Sequence, residues 1–521
     1  MGNGKSTTLD PEKVKSMNSK IAASCRKTAL EILSLLFAVC SACFFLPAEA
    51  APVKYPLPQV GGLDVVRADN KTSAIAAAEA EMLRPAEKRR IVAAPKAGAL
   101  AVKRRFPELK VCMVTTSASS VTEQYDVREV RDAEAFSAIA ARIDYLEFDK
   151  DYPDDVAVAL HDAGVKTISR CPCTAEDLQA ATELGAKYVI TENPEKAGRL
   201  LGDLAKRQTG PVTNAEFRIR DPFVLPLKEK GVYYLYGTVP WNVARGIEVR
   251  TSTDLKHWSA PRRVMTMPSS FNTFRVVAPE VHVHKGKFYL FATVILYPDP
   301  RHPIKSMAED PSFAPPPCYP LTRSGTWIWR SDSPNGPFEM LSDMSATPHE
   351  FMALDGTLVK DPDGSLWMVY CHEWTQTQIG RMEVGRLKDD LSGLVGPIKE
   401  IFRADSAFGP NYVTDGPYCY RSPRTSKLSM IWSKFCDGGY SVISCSSESG
   451  RAEGPWGDFK ILFAGNGGHG MIFRTFEGDL KLVMHKPEIR GHERLAFFPI
   501  VENEDGCLSM PTISKPSMPH L

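Results

Sequence analysis

Residues 286–291 read Gly286-Lys287-Phe288-Tyr289-Leu290-Phe291. A turn residue opens the stretch, and an apolar and aromatic run follows, as in a strand entered from a tight turn. The same cassette recurs as Gly231-Val232-Tyr233-Tyr234-Leu235-Tyr236, Gly364-Ser365-Leu366-Trp367-Met368-Val369, Ser426-Lys427-Leu428-Ser429-Met430-Ile431 and Gly478-Asp479-Leu480-Lys481-Leu482-Val483. By subtraction the starts lie 55, 78, 62 and 52 residues apart, a spacing close to one propeller blade. A single four-stranded blade cannot bury both faces, whereas a closed ring of blades can. Five copies therefore predict an all-β, five-bladed propeller over residues 212–521. A β-sandwich with coincidental hairpins is the competing architecture.

A second element precedes each cassette by about six to eleven residues: Asp221-Pro222, Pro279-Glu280, Asp355-Gly356, Asp415-Gly416-Pro417 and Gly468-His469-Gly470. The innermost strand of a blade faces the ring axis. A shared register would aim Asp221, Glu280, Asp355, Asp415 and His469 into one pocket, with glycines allowing close backbone approach. Converging carboxylates repel one another and resist desolvation, so such a cluster points to function.

Upstream the pattern changes. Lys13, Lys15, Lys20, Arg26 and Lys27 precede an apolar run from Ile32 to Leu46 and then Ala48-Glu49-Ala50. This is the layout of a secretory signal over residues 1–50, and the apolar core is short for a membrane span. A secreted or periplasmic protein with no stable membrane span after cleavage is expected. The myristoylation-like start and its Gly4-Lys5-Ser6 fragment are set aside on that ground. Residues 51–107, rich in Ala, Pro, Lys and Arg, read as a partly helical linker. Residues 108–207 alternate strands and helices, which predicts a small α/β segment with a parallel sheet or partial TIM-barrel-like structure.

The chain carries 63 Lys and Arg against 62 Asp and Glu, so nothing marks a nucleic-acid surface. Of 12 cysteines, Cys25, Cys40 and Cys43 fall in the export segment. The rest are too scattered for a disulfide-stapled scaffold, although one or two disulfides fit the compartment.

Paired carboxylates in a sugar-sized pocket suit glycoside hydrolysis, in which an acid protonates the leaving oxygen and a base activates water. The motifs Arg220-Asp221-Pro222-Phe223, Ala278-Pro279-Glu280-Val281-His282, Leu354-Asp355-Gly356-Thr357-Leu358, Val413-Thr414-Asp415-Gly416-Pro417 and Gly468-His469-Gly470-Met471-Ile472-Phe473 resemble glycoside hydrolase family 43. So does the turn from Thr251 to Trp258, and the likeness covers about 215–500. It implies Asp221 as general base, Asp355 as the residue that tunes the acid's pKa, and Asp415 as general acid. The family more often has Glu at the last position, so Glu280, Glu350 and Glu373 stand as fallback acids. The resemblance further implies a structural calcium ion beside His469, with no cofactor needed for chemistry. Glu280, Trp241, His372 and Arg275 are expected to contact substrate. The function implied is inverting removal of arabinofuranosyl or xylosyl side chains from poly- or oligosaccharides. A galactosidase, a fructan-active hydrolase and a non-catalytic glycan-binding propeller are the alternatives.

Residues 108–207 resemble the C-terminal half of glycerophosphodiester phosphodiesterases, through Leu160-His161-Asp162-Ala163-Gly164 and Leu184-Gly185-Ala186-Lys187-Tyr188-Val189-Ile190-Thr191-Glu192-Asn193-Pro194. That family's His-Arg-Gly is missing from this stretch, so a truncated, non-catalytic remnant is expected.

Overall fold

The structure is a computed structural model. It describes residues 59–511 apart from 61–64, 68, 95, 115–144, 149–165, 171–173, 184–185, 192, 239–244, 269, 272, 297–301, 315–320, 410–411 and 490–491. The export segment therefore lies outside the described residues, as do Trp241 and, within the expected α/β segment, residues 115–144 and 149–165. Among the described residues no helix is long and apolar enough to cross a membrane.

The N-terminal part is one parallel sheet of seven strands: β1 (Gln59–Val60), β2 (Val65–Arg67), β3 (Ile91–Ala94), β4 (Val111–Val114), β5 (Tyr145–Phe148), β6 (Lys166–Arg170) and β7 (Tyr188–Ile190). Their order is β1-β7-β6-β5-β4-β3-β2. The linker expected at 51–107 is thus corrected in its described part. It supplies β1, β2, β3 and two helices, α1 (Lys71–Met82) and α2 (Lys96–Arg105). Its strands escaped notice because short parallel strands buried on both faces carry no polar alternation; Ile91, Val92 and Ala93 are all buried. Asn70 and Ser73 form a reciprocal capping box on α1. The helices after β6 and β7 are α3 (Ala175–Glu183) and α4 (Pro194–Arg207). Asn193 caps α4, Pro194 starts it, and Ala197, Leu201 and Leu204 form its buried stripe.

From residue 220 the chain forms five antiparallel meanders, numbered here as blades I to V. Their first strands are Arg220–Leu227, Thr273–His284, Met352–Lys360, Asp415–Arg421 and Gly468–Arg474. The five cassettes become the second strands: Val232–Thr238, Lys287–Leu296, Leu366–His372, Leu428–Cys436 and Leu480–Lys486. Each cassette opens at a left-handed residue, with φ of 63° at Gly231, 75° at Gly286, 87° at Gly364, 63° at Ser426 and 100° at Gly478. Ser426 accepts a conformation that costs glycine nothing.

The first strands touch one another in chain order, and the last touches the first, which makes the arrangement propeller-like. Blades II and III join through a short parallel pairing of Ser324 with Met352 and Gly325 with Ala353. Blade V has three strands. The chain entering blade I closes the ring, with the Ile219 N–H reaching the Glu493 carbonyl at 3.4 Å. Apolar clusters fill the seams between blades. Met430, Trp432 and Ile443 of blade IV meet Val369, Cys371 and Met382 of blade III, and Ile472, Leu482 and Met484 of blade V meet Ile431 and Val442 of blade IV. The described cysteines, Cys112, Cys371, Cys419, Cys436, Cys445 and Cys507, are free thiols, so the disulfides expected from the compartment are absent among them.

Candidate active site

Every first strand carries a bulge at the same place. The pairing with the second strand slips at residues 221–222, 278–279, 355–356, 416–417 and 469–470. One residue in each bulge is left-handed: Asp221 (φ 50°), Ala278 (49°), Asp355 (55°), Gly416 (51°) and His469 (47°). Bulges re-aim side chains, and non-glycine residues at positive φ are strained, which is typical of functional positions.

The expected common register is corrected here. Asp221, Asp355 and His469 share the left-handed position, whereas Asp415 comes one residue before it and Glu280 two residues after it. The extra residue in a bulge breaks the two-residue period that would otherwise keep these side chains in phase.

Asp221, Asp355, Asp415 and His469 nevertheless meet. His469 Nδ1 lies 3.3 Å from Asp221 Oδ1 and 3.3 Å from Asp415 Oδ1. Asp355, Asp415 and His469 each present one ligand-type atom within 4.8 Å of the others. A Cβ on Gly416 would stand 2.7 Å from His469 Cγ and Cδ2, so glycine there lets the ring lie against the backbone.

Each carboxylate has its own support. Thr238 Oγ1 donates to Asp221 Oδ2 at 2.5 Å and accepts from the Ala278 N–H at 2.8 Å, tying blades I and II together. The Asp221 N–H donates to His485 Nδ1 at 3.2 Å, which assigns the proton of that ring to Nε2, facing Glu488. Thr293 Oγ1 donates to Asp355 Oδ1 at 2.8 Å and accepts the Asp355 N–H at 2.8 Å. The Tyr440 hydroxyl donates to Asp415 Oδ2.

The electrostatics separate the three. Burial pushes the Asp221 carboxyl up, but His469 and Arg220, with a hydrogen bond from Thr238, outweigh it and hold it below the usual carboxylate range. Burial and the Asp415 charge push Asp355 well above that range. Asp415 is pushed up by burial and pulled down further by His469, Asp355 and Tyr440, so it is ionised. Burial alone would lower His469; the three aspartates raise it to about 10. The cluster therefore sets two aspartates that favour the carboxylate, Asp221 and Asp415, and one whose ionisation is opposed, Asp355, around an imidazole that favours its charged form.

The other expected contacts divide. Glu280 lines a narrow axial pocket with Asp221, Asp355 and His469, and its Oε2 lies 2.8 Å from His282 Nε2. Arg275 stands on the first strand of blade II, three residues before Ala278. His372 is corrected: it is 1 % exposed and uses both ring nitrogens, towards Glu383 at 3.0 Å and Gln376 at 3.1 Å, under the ring of Phe351. It is the last residue of its strand, and its side chain is turned into the blade. Sequence reasoning gave no part to Tyr440, Thr238, Thr293 or His485; none sits in a motif that separates it from an ordinary strand residue. A wider cleft between α3, α4 and blade I, lined by Gln179, Leu204, Arg207, Phe217 and Leu235, lies apart from the aspartate cluster.

Residues 210–496 match the family model for glycosyl hydrolases family 43. The chain belongs to that family. Enzymes of family 43 hydrolyse O-glycosyl bonds, and the aspartate cluster lies within the matched residues. A curated relative of this family 43 chain is the extracellular endo-alpha-(1->5)-L-arabinanase 1 of Bacillus subtilis (strain 168), 24% identical over 177 residues. That match takes in 33% of this chain and 48% of the relative, so the chain spans about half the relative's length. Among solved structures, an endo-arabinase from Bacteroides thetaiotaomicron VPI-5482 is 31% identical with a TM-score of 0.47, over 56% of this chain and 98% of that one. A thermostable family-43 glycoside hydrolase is 21% identical with a TM-score of 0.45, over 60% and 97%.

Proposed function

We propose that this chain is a secreted, inverting glycosidase that hydrolyses arabinofuranosyl or xylosyl linkages in poly- or oligosaccharides, with Asp221 as the base. The observation that carries the reading is the meeting of Asp221, Asp355 and Asp415 around His469 from blades I, III and IV. In this reading the ring is a five-bladed propeller and its axial funnel takes the sugar. Asp221 is ionised and rigidly held, as a group that accepts a proton from attacking water must be. Secretion is supported by the signal-like residues 1–50 and by the extracellular relative. The arabinose preference rests on that relative's name. The parallel sheet is proposed as a non-catalytic support beside blade I.

The resemblance assigned the proton-donor role to Asp415. Its two oxygens accept hydrogen bonds from Tyr440 and His469, which suits a fixed negative charge. Asp355, whose carboxyl is pushed up by burial and by the Asp415 charge, would tune that charge.

A structural calcium ion remains part of the proposal. Asp355, Asp415 and His469 supply three ligand atoms, while calcium takes six to eight, mainly oxygens, so waters would complete the shell. His469 ligates only without its Nδ1 or Nε2 proton, which makes calcium a competitor of that proton.

The test is a panel of nitrophenyl glycosides and arabinan, run on wild type and Asp221→Asn. Turnover on arabinofuranosides or xylosides that falls about 10²–10⁴-fold in the variant is expected. Turnover only on galactosides or fructans would move the substrate assignment. A variant that binds glycan and matches wild type in every assay would make the chain a binding propeller.

A further inference from the structure

We propose that the aspartate cluster is set by a ring of five side chains, Thr238, Thr293, Cys371, Ser433 and His485, each of which positions the bulge of the blade that follows its own. This rests on the hydrolase reading above and adds positioning residues to it. All five stand at one place in the fold. On the second strand of each blade they pair with the residue just before the left-handed one: Thr238 with Arg220, Thr293 with Val277, Cys371 with Leu354, Ser433 with Asp415 and His485 with Gly468.

Four of them make the same contact across a seam. Thr238 of blade I accepts the Ala278 N–H of blade II at 2.8 Å, and Thr293 of blade II accepts the Asp355 N–H of blade III at 2.8 Å. Ser433 of blade IV accepts the His469 N–H of blade V at 2.8 Å, and His485 of blade V accepts the Asp221 N–H of blade I at 3.2 Å. In each case the donor is the left-handed residue itself, with φ between 47° and 55°. A bulge takes its extra residue out of the ladder, so the N–H there needs another acceptor, and the strained twist persists only where its surroundings hold it. Here the acceptor comes from the preceding blade each time. Thr293, Ser433 and His485 are buried, so the contact is direct. The cluster is thereby set from outside the blades that carry it: Asp221 by blade V, Asp355 by blade II and His469 by blade IV. Thr293 holds Asp355 at two points, since its hydroxyl also donates to Oδ1 at 2.8 Å.

The fifth position is Cys371 of blade III, a buried thiol in the seam with blade IV, where the left-handed residue is Gly416. Sulfur is a weak acceptor, so this is the loosest member of the ring. It stands beside the bulge whose twist costs its residue nothing, because that residue is glycine. Where the acceptor is a hydroxyl or an imidazole, the twisted residue is Asp, Ala or His. Strain and restraint thus occur together, as they must if the second-strand side chains hold the bulges.

The experiment takes the full chain with Thr293→Val, which keeps the shape and removes the hydroxyl, Thr293→Ser, which keeps the hydroxyl, and Ser433→Ala. Amide hydrogen exchange reads the contact: the segment around Asp355 is expected to exchange about tenfold faster or more in Thr293→Val but not in Thr293→Ser, and the segment around His469 likewise in Ser433→Ala. Steady-state kinetics on an arabinofuranoside or xyloside reads its purpose. Thr293→Val and Ser433→Ala are expected to lose about 10–100-fold in kcat with KM within about threefold, and Thr293→Ser to recover most of the loss. Cys371→Ser, which puts a hydroxyl beside Gly416, is expected to melt above Cys371→Ala. Exchange at the wild-type rate in both Thr293→Val and Ser433→Ala would overturn the proposal. Faster exchange with unchanged kcat would overturn the positioning role, and Cys371→Ser melting below Cys371→Ala would take blade III out of the ring. A wild type inert on every glycoside would overturn the hydrolase reading, while exchange would still decide the contacts. If Thr293→Val does not fold, Ser433→Ala carries both readouts.

Discussion

At the ring axis the imidazole of His469 lies within 3.3 Å of two carboxylates, and its proton is shared electrostatically with a third. Three aspartates that would otherwise repel one another are held together by this one cation, against the burial that disfavours it. The sign of the resulting pH dependence follows. The folded-state value, about 10, lies above the ordinary 6.5, so the contribution to stability is full below pH 6.5 and is lost as pH rises towards 10. Wild-type Tm should therefore exceed that of His469→Asn most at pH 6, and the difference should shrink by pH 10. Added calcium, if it takes the proton's place, should restore wild-type Tm at pH 9 and leave His469→Asn unchanged. A Tm difference that grows with pH would contradict the assignment of the charge.

At the scale of the element, the five bulges do what a regular strand cannot. A regular strand would send alternate side chains to alternate faces, and one inserted residue turns the side chain at the bulge towards the axis. Gly416 is the position where this is least tolerant. Its φ is 51° and an added Cβ would lie 2.7 Å from two ring atoms of His469. Gly416→Ala should cost on the order of 1–3 kcal/mol from backbone strain alone. It should also displace His469, so kcat should fall by more than the loss of folded protein explains; thermal unfolding and an active-site titration together separate the two. The long insertion between Leu296 and Ser324 of blade II acts at this scale as well. The Met307 N–H reaches the Gln376 carbonyl at 2.7 Å, and the Glu309 carboxylate pairs with Arg403 at 2.6 Å, which sets this stretch against blade III.

At the scale of the molecule, the ring is closed by charge as well as by the backbone. Glu493 of blade V is buried and accepts from Arg218 Nε at 2.8 Å and Arg220 Nη1 at 3.1 Å, and Arg220 also meets Glu488 at 2.8 Å. Glu488 in turn faces His485, which holds the Asp221 backbone, so the seam that closes the ring also braces the proposed base. Glu493→Gln should leave two guanidinium groups underpaired and cost about 3–5 kcal/mol, lowering Tm by on the order of 10 °C; calorimetry checks it, and a Tm within a degree of wild type would show that the backbone alone closes the ring. The five cassettes, the turn residues that open them and the polar motif ahead of each were legible in the sequence, because strand alternation and turn chemistry are written in neighbouring residues. Asp221, Asp355, Asp415 and His469 were legible for the same reason, as repeats in phase to within a residue. The parallel sheet was legible only from residue 108 onwards, since its earlier strands are two to four residues long and lack alternation. Only the tertiary structure decided that Asp415 is out of step with Asp221, that His372 faces inward, and that Glu493 meets Arg218 across 275 positions of chain. Those facts depend on where a bulge turns a side chain and on which distant strand it meets, and a one-dimensional pattern carries neither.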